Sequence, residues 1–195
     1  QLPDSVCSRL SVINMLNTRY IIYDVNSAPL PNSHAMGNAW FVGGYRLVKN
    51  ADEEMATLKE IDPSGEAVID QRFSGFVEGK TFQKDENGKI VLTECQPNYL
   101  KYEVETGSEQ LAVFSEIYYD KGWNAFIDGQ KTPHFRVDYI LRAMVIPAGK
   151  HTVEFKFEPK SYFIGNKISL ASSLLLILAV AGYAFSEFRK RKKQP

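Results

Sequence analysis

The feature that most limits the fold of this chain is an 18-residue run without a charged side chain, residues 168–185 (ISLASSLLLILAVAGYAF). As an α-helix rising about 1.5 Å per residue, this run is roughly 27 Å long, close to the thickness of a bilayer core. A buried helix of a soluble core is the alternative, but such helices are seldom so uniformly apolar. We therefore predict a transmembrane helix over residues 164–188.

The charges that follow this run indicate its orientation. Residues 189–193 read RKRKK, and basic residues next to a span favour the cytoplasmic side of the membrane. The prediction is a cytoplasmic tail at residues 189–195, with the bulk of the chain extracytoplasmic at the cell membrane. This orientation needs an upstream signal or upstream spans, and the chain begins with Gln1 rather than Met. We expect a piece of a longer protein, whose partners are the lipid bilayer and its own upstream spans.

The charge balance narrows the range of partners further. Residues 1–186 carry 18 basic and 22 acidic residues, a net charge of −4, although the whole chain is formally neutral. Binding to nucleic acid through counterion release requires a basic surface. We therefore expect no nucleic-acid partner.

Cysteine and histidine are too few and too scattered to predict a metal site. Cys7 and Cys95 either form a disulfide or remain free thiols, because nothing in their spacing requires a bond. The three histidines, His34, His134 and His151, follow no zinc-ligand spacing. We predict no metal ion and no cofactor.

A short amphipathic helix is predicted at the N-terminus, with Asp4 or Ser5 as its cap. Its apolar face is formed by residues spaced three or four apart, namely Val6, Leu10, Ile13 and Leu16. Residues 19–23 (RYIIY) then predict a strand. In the turn-rich segment after this strand, Pro29 and Pro31 predict irregular structure.

A strand and a second helix follow. Residues 40–48 (WFVGGYRLV) predict a strand that bends at Gly43 and Gly44. Asn50 is the predicted cap of the helix, with Glu53 at the capping-box position. The apolar stripe of this helix comprises Met55, Leu58 and Ile61, and the sequence DPSG at residues 62–65 ends it.

From residue 66 the pattern changes to strands. Residues 100–105 and 152–157 alternate apolar and polar side chains, as half-buried strands do. Further strands are predicted over residues 111–118, 123–127 and 139–146. Short strands at this spacing predict an antiparallel β-sandwich, jelly-roll-like or Ig-like. The predicted class is α+β, with an α/β N-terminal part at residues 1–65 and a sandwich domain at residues 66–163.

The stretch YYDKGWNAFIDGQ, residues 118–130, contains a hairpin signal. Both central residues of a type I′ turn need positive φ, which suits Asp128 and Gly129. Pairing about this turn places three pairs opposite each other: Ile127 and Gln130, Ala125 and Thr132, and Trp123 and His134. Trp123 and every second residue after it then point to one face, and Pro133 predicts an edge strand or an early end of the pairing.

The same stretch contains the candidate ligand site. Aromatic rings can stack on a sugar ring, and we predict a platform made of Tyr118, Tyr119 and Trp123. The predicted hydrogen-bonding residues of this site are His134, Asp128 and Arg142. The alternative is architectural: Trp123 packs in the core beneath a sheet, and Asp128 serves only the turn.

No catalytic residue is predicted in the chain. Asp52, Glu53 and Glu54 form an acidic cluster, but they lie in the first turn of the second helix, where acidic residues stabilise the cap and the macrodipole. No Ser/His/Asp order, glycine-rich phosphate loop or HExxH motif is found in the sequence.

Three stretches together resemble one protein family. They are MLNTRYII (residues 15–22), YYDKGWNAFIDGQ (118–130) and LRAMVIPAGKHTVEFKFEPKSYFIGNKIS (141–169). These stretches are similar to the C-terminal region of the bacterial YfhO-like membrane proteins, which look like GT-C-type glycosyltransferases. The matching positions are Leu16, Asn17, Tyr20, Gly122, Trp123, Asp128, Gly129, Arg142, Pro147, Gly149, His151, Val153 and Pro159.

This resemblance implies a parent membrane enzyme that transfers sugar from a lipid-linked donor to a cell-envelope polymer. The acidic catalytic residue of such enzymes lies in an early extracytoplasmic loop, so we do not expect this chain to be an enzyme by itself. The implied role is to bind or position the acceptor glycan, or to brace the catalytic part. The alternative is a non-enzymatic envelope binding or assembly module whose partners are proteins.

Overall fold

The computed structural model describes residue 8 and residues 10–191, which form two compact units. The first unit ends at Phe157 and contains the strands, and the second begins at Glu158 and contains one long helix. The helices are α1 (Ser11–Met15), α2 (Ala51–Thr57) and α3 (Lys160–Arg191), with a 3₁₀ helix at Gln71–Phe76. The strands are β1 (Tyr20–Ile21), β2 (Leu30–Pro31), β3 (Ala39–Val42), β4 (Gly44–Val48), β5 (Glu66–Asp70), β6 (Lys89–Gln96), β7 (Tyr99–Thr106), β8 (Gln110–Ile117), β9 (Trp123–Ile127), β10 (Gln130–Thr132), β11 (Phe135–Val137), β12 (Leu141–Ile146) and β13 (Gly149–Phe157).

Two antiparallel sheets form a sandwich. The five-stranded sheet has the order β10-β9-β13-β7-β6, and the four-stranded sheet has the order β11-β12-β8-β3. Aromatic rings from both sheets fill the space between them: Tyr102, Phe114 and Phe155 meet edge to face at centroid separations of 4.9, 4.9 and 6.1 Å. The predicted α+β fold with an antiparallel sandwich is confirmed.

A third layer covers the outer face of the four-stranded sheet. β4 and β5 pair in parallel, and α2 lies on the crossover between them. Alternate residues of β8 face different cores: Ala112 and Phe114 belong to the core between the two large sheets, whereas Leu111 and Val113 pack in a second core with Val68 of β5. The four-stranded sheet is therefore buried on both faces, which explains why β8 contains a continuous apolar run.

The strand predicted over residues 40–48 is two strands that belong to different sheets. β3 ends at Val42 and β4 begins at Gly44, so the chain bends at Gly43 as predicted. A Cβ atom at Gly43 would lie only 3.3 Å from the backbone nitrogen of Lys84. The close approach of these two segments favours glycine at the bend.

Helix α2 has the predicted cap, and the predicted apolar stripe is buried at Leu58 and Ile61 but not at Met55. The Asn50 side chain accepts a hydrogen bond from the Glu53 N–H at 3.0 Å, and Glu53 Oε2 accepts one from the Lys49 N–H at 2.9 Å. Met55, predicted to face the core, is 42% exposed, and Glu54 is fully buried instead. The prediction is wrong at Met55 because the inward face of α2 carries a carboxylate with partners of its own.

The predicted cap of the first helix, at Asp4 or Ser5, lies outside the described residues, as does Val6. In the described part of the chain, this helix is the short α1. The predicted strand after it is present but has two residues, and Tyr20 pairs with Pro31 of β2. The expectation of irregular structure is therefore wrong at Pro31, where a two-residue strand needs no N–H from the proline.

The turn of the β9–β10 hairpin has the predicted geometry. Asp128 and Gly129 have φ angles of 50° and 78°, the positive values that a type I′ turn requires. The predicted pairs next to the turn, Ile127 with Gln130 and Ala125 with Thr132, are both present. The local signal was therefore sufficient to place this turn and its register.

The far end of the same hairpin differs from the prediction. β10 ends before Pro133, and Trp123 pairs with Phe157 of β13 rather than with His134. The proline marks the early end of pairing, and two residues later the chain enters the other sheet as β11. Trp123 points to the same side as the buried Ala125, toward the core between the sheets.

The second unit is helix α3, which has 32 residues. Its 27-residue segment Lys160–Ser186 is long and apolar enough to cross a membrane, and its most apolar part is not buried within the protein. The Ser172 and Ser173 hydroxyls donate to carbonyl oxygens one turn earlier, both at 2.9 Å. These polar groups are therefore satisfied inside the helix, as a bilayer core requires.

Candidate functional site

The structure brings four of the six sequence-predicted site residues together around Phe155. The guanidinium carbon of Arg142 lies 4.2 Å from the Trp123 ring centroid and 5.3 Å from the Phe155 centroid. The His134 ring centroid lies 5.7 Å from that of Phe155 and 5.6 Å from that of Tyr118. We call these five residues the inner cluster.

The other two predicted residues lie elsewhere. Tyr119 is 49% exposed, and Asp128 remains at the hairpin turn. Asp128 Oδ2 lies 2.6 Å from Nδ1 of His151, and Oδ1 accepts a hydrogen bond from the Thr152 N–H at 2.8 Å. The hydrogen bond with His151 is the main cause that lowers the pKa of Asp128. Asp128 therefore joins the turn to β13 rather than to the inner cluster.

Arg142 is only 2% exposed. It lies two residues before Met144 on β12, on the face that packs in the core between the sheets. Its Nε donates a hydrogen bond to the Ile117 carbonyl oxygen at 3.0 Å. Burial lowers the pKa of Arg142, and the nearby Glu116 carboxylate opposes this effect. The guanidinium stays protonated, because arginine does not lose its proton in proteins.

His134 is neutral at physiological pH. Burial lowers its pKa to about 4, and the positive charge of Arg142 acts in the same direction. Its ring makes contacts with Tyr118 and Phe155, so aromatic packing holds it in place.

A second group of polar residues, which the sequence reasoning missed, lies where α2, β5 and β11 meet. Glu54 and Asp70 are 0% and 1% exposed. Arg136 Nη2 lies 2.7 Å from Glu54 Oε2 and 3.5 Å from Asp70 Oδ2. Arg72 binds both carboxylate oxygens of Asp70, at 3.1 and 2.8 Å. We call these four residues the carboxylate–arginine network.

Glu54 lies in the first turn of α2 as predicted, but its carboxylate is buried and has partners beyond the helix. Glu53 serves the cap, whereas Glu54 forms an ion pair with Arg136 inside the protein. The signal that could have shown this is the phase of the helix: Glu54 lies four residues before the buried Leu58, and therefore on the same face.

Burial and pairing affect the two buried acids differently. Burial raises the pKa of Glu54, although the Tyr139 N–H and the Arg136 charge lower it. The side-chain hydrogen bond from Arg72 is the largest effect on Asp70, and it lowers the pKa of that carboxyl. The network is thus anchored by an ionised Asp70 with a bidentate arginine partner.

The turn between β11 and β12 is held by the carboxyl groups of Glu54 and Asp138. Asp138 and Tyr139 have φ angles of 50° and 70°, a conformation that costs a non-glycine residue about 1–3 kcal/mol. Glu54 Oε1 accepts a hydrogen bond from the Tyr139 N–H at 2.9 Å, and Asp138 Oδ1 accepts one from the Val68 N–H at 2.7 Å. Two buried carboxyl groups therefore hold the strained turn in place.

Aromatic rings and two arginines form a surface next to the network. The guanidinium carbon of Arg136 lies 5.7 Å from the ring centroids of both Phe73 and Tyr139, and that of Arg72 lies 5.8 Å from Phe73. Phe73 meets Tyr118 edge to face at 5.7 Å, so this surface adjoins the inner cluster. We call these five residues the aromatic–arginine surface.

Residue 8 and residues 10–191 contain no group of three or more His, Cys, Asp or Glu side chains that could hold a metal ion. Cys95 is an exposed free thiol. Its possible partner, Cys7, lies outside the described residues.

Part of the chain matches a known protein family. Residues 79–169 match the family model described as bacterial membrane protein YfhO. These residues belong to the YfhO family. The YfhO segment includes strands β6 to β13 and the beginning of α3. No curated protein and no solved structure matches the chain.

The YfhO segment contains one of the two polar groups entirely and the other in part. All of the inner cluster lies within it, whereas the network joins Arg136 of the YfhO segment to Glu54, Asp70 and Arg72, which precede it. The match and the apolar helix α3 together support a membrane protein of that family.

Proposed function

We propose that this chain is the extracytoplasmic, membrane-attached part of a YfhO-like, glycosyltransferase-like protein, and that its aromatic–arginine surface binds the acceptor glycan during glycosylation of a cell-envelope polymer. The observation that carries the proposal is the placement of Phe73 and Tyr139 beside Arg136, which buried carboxylates hold in position.

An exposed aromatic ring beside an arginine suits a sugar. The ring stacks on the apolar face of the sugar, and the guanidinium donates hydrogen bonds to hydroxyl oxygens. Tyr139 is 38% exposed, and the Arg72 side chain is 66% exposed. Arg72 uses Nε and Nη2 for Asp70, which leaves Nη1 for a ligand.

The network supports binding because it orders the surface before the ligand arrives. Arg136 is held by Glu54, and Arg72 by Asp70, so neither guanidinium loses much further freedom on binding. The strained backbone at Tyr139 is consistent with this role, because strain persists only where surrounding contacts stabilise it.

The predicted platform takes part through one residue. Tyr118 belongs to the surface, while Trp123, His134 and Arg142 lie behind it in the inner cluster. The positive residues 189–193, which follow the apolar run, support an extracytoplasmic position for the compact unit, on the side of the membrane where envelope polymers are found.

Binding can be tested by calorimetric titration of the full chain in lipid nanodiscs with a purified bacterial cell-envelope polysaccharide. We predict that Tyr139→Asn weakens the affinity about tenfold, because it removes one stacking ring worth roughly 1–1.5 kcal/mol. Asparagine tolerates positive φ, so the turn itself is retained.

The matched control is Phe126→Ala, which removes an aromatic ring that packs against Lys156 at 5.0 Å, away from the aromatic–arginine surface. This variant should bind the polysaccharide as the wild type does. The proposal fails if the wild type binds no envelope polysaccharide, or if Tyr139→Asn and wild type have equal affinities. The first of these results would favour the module with protein partners.

A further inference from the structure

The inner cluster contains a buried cation whose donors are not all used. Arg142 is 2% exposed, and its Nη1 atom is buried without a hydrogen-bond partner in the described part of the chain. No carboxylate of the described residues lies within 4.0 Å of its guanidinium, unlike Arg136 and Arg72 in the network. A buried charge without a close counter-ion destabilises the folded protein.

The surroundings of Arg142 do not supply the missing charge. Trp123 and Phe155 cover the guanidinium with their rings. Glu116 is the acid that affects it electrostatically, but the two side chains form no ion pair within 4.0 Å. The cation is thus held among aromatic rings, with its planar donor edge incompletely paired.

Two further side chains around Phe155 also contain a buried polar atom without a hydrogen-bond partner in the described part of the chain. His134 Nε2 and the Tyr102 hydroxyl are both buried without a hydrogen-bond partner among the described residues. The ring centroids of His134 and Tyr102 lie 5.7 and 6.1 Å from the Phe155 centroid. Three side chains around a single phenylalanine, one of them permanently positive, therefore each contain a buried polar atom without a partner in the described part of the chain.

We propose that the inner cluster is a binding site for a small oxyanion, a carboxylate or phosphate group, bound by Arg142 with His134 and Tyr102 as neighbouring polar partners. A guanidinium has the fork geometry that matches both anions. A neutral imidazole and a phenol each offer one N–H or O–H donor.

An anion can reach this site past the side chains of Trp123 and His134. Trp123 is the first residue of β9, and His134 lies in the short link between β10 and β11. Both side chains are half-buried, and both stand at the ends of strands, where a side chain can move without breaking the ladder. The Trp123 ring covers Arg142, so its fluorescence should respond when an anion enters.

The test is a tryptophan-fluorescence titration of the full chain in nanodiscs of a zwitterionic lipid. The anions are inorganic phosphate and acetate, and a parallel arm uses nanodiscs that contain an anionic phospholipid. We expect a saturable response and a higher melting temperature with at least one of these anions. A response to the lipid alone identifies a headgroup as the source of the anion, and a response to free phosphate or acetate identifies a soluble one.

Two variants give the decisive comparison. Arg142→Met keeps an unbranched side chain, shorter than that of arginine, and removes the buried charge, so it should fold and bind at least tenfold more weakly. His134→Phe keeps the aromatic contacts and should bind severalfold more weakly. The inference is overturned if no anion gives a saturable response in the wild type, or if Arg142→Met responds equally.

This site shares only Tyr118 with the aromatic–arginine surface, and variants at residues outside this overlap separate the two proposals. Tyr139→Asn should leave the anion response unchanged, and Arg142→Met should leave polysaccharide affinity unchanged within twofold. If Tyr139→Asn abolishes the anion response as well, the anion is not bound at the inner cluster and this inference is wrong.

Discussion

Asp138 shows how one buried carboxyl group makes the stability of this fold depend on pH. Its Oδ2 atom is buried with no partner in the described chain, and burial raises its pKa from 3.8 to about 7. Between about pH 4 and pH 7 the folded chain keeps a proton that the unfolded chain has lost. The stability from this group is therefore fully present below pH 4 and is lost as the pH rises to about 7.

We predict that Asp138→Asn raises the free energy of unfolding at pH 8 by on the order of 1–3 kcal/mol. Asparagine keeps the acceptor for the Val68 N–H, tolerates positive φ and cannot ionise. Urea denaturation of the full chain in detergent at pH 5 and pH 8 measures the change. Asp128→Asn is the matched control and should lose stability at pH 8, because its ionised form is the favoured one. A variant at Asp138 no more stable than wild type at pH 8 contradicts the account.

For single residues, the sequence predicted which side chains of β9 share a face, but it did not predict where the charged side chain of Arg142 lies. The alternation correctly placed Trp123, Ala125 and Ile127 on one face of β9, and the structure shows that this is the inner face. It could not place Arg142, because β12 is buried on both faces and its apolar run contains no alternation from which to judge a single arginine. The structure shows that the half-buried ring of Trp123 faces the core and covers the buried guanidinium of Arg142.

At the scale of elements, local signals were reliable and long-range pairing was not. The Asn50 cap and the Asp128-Gly129 turn depend on residues within four positions of each other, and both are present. The parallel pairing of β4 with β5 joins residues about twenty positions apart. Nothing in either strand encodes that partner, so the third layer could not be predicted from the sequence.

The network was missed for the same reason. Glu54 meets Arg136 across 82 sequence positions, and only the fold brings the two together. Helical phase places Glu54 on the inner face of α2, but it does not identify the partner.

The hairpin gives a prediction about one element. Gly129→Ala should lower the free energy of unfolding by about 1–2 kcal/mol, because alanine at a φ of 78° is strained although no atom lies within 4 Å of the added Cβ. Gly75→Ala is the control, since its Cβ also meets nothing within 4 Å and its backbone is not in the strained region. Urea midpoints measured for both variants test this, and equal midpoints would show that the positive φ is not the reason for glycine at residue 129.

For the whole molecule, the family match and the structure describe overlapping but different regions. The YfhO segment, residues 79–169, holds most of the sandwich. The aromatic–arginine surface needs Arg72 and Phe73 from before that segment as well as Tyr118, Arg136 and Tyr139 within it. The surface is therefore a property of the complete compact unit rather than of the YfhO segment alone.

The proposed function depends on which side of the membrane this unit lies. Eighteen basic and 22 acidic residues precede residue 187, while RKRKK at residues 189–193 follows the apolar run 168–185, and this asymmetry favours a cytoplasmic C-terminus. An envelope glycan can reach the aromatic–arginine surface only if that orientation is correct.

The most direct test is labelling with a membrane-impermeant maleimide of the membrane-bound protein in intact cells. With Cys7 replaced by serine, the exposed free thiol of Cys95 should be labelled from outside, as should a cysteine introduced as Lys84→Cys. A cysteine introduced as Gln194→Cys, with Cys7 and Cys95 replaced by serine, should be labelled only after the cells are permeabilised. Labelling of residue 194 from outside, together with protection of Cys95, would place the surface in the cytoplasm and contradict the proposed role in envelope glycosylation.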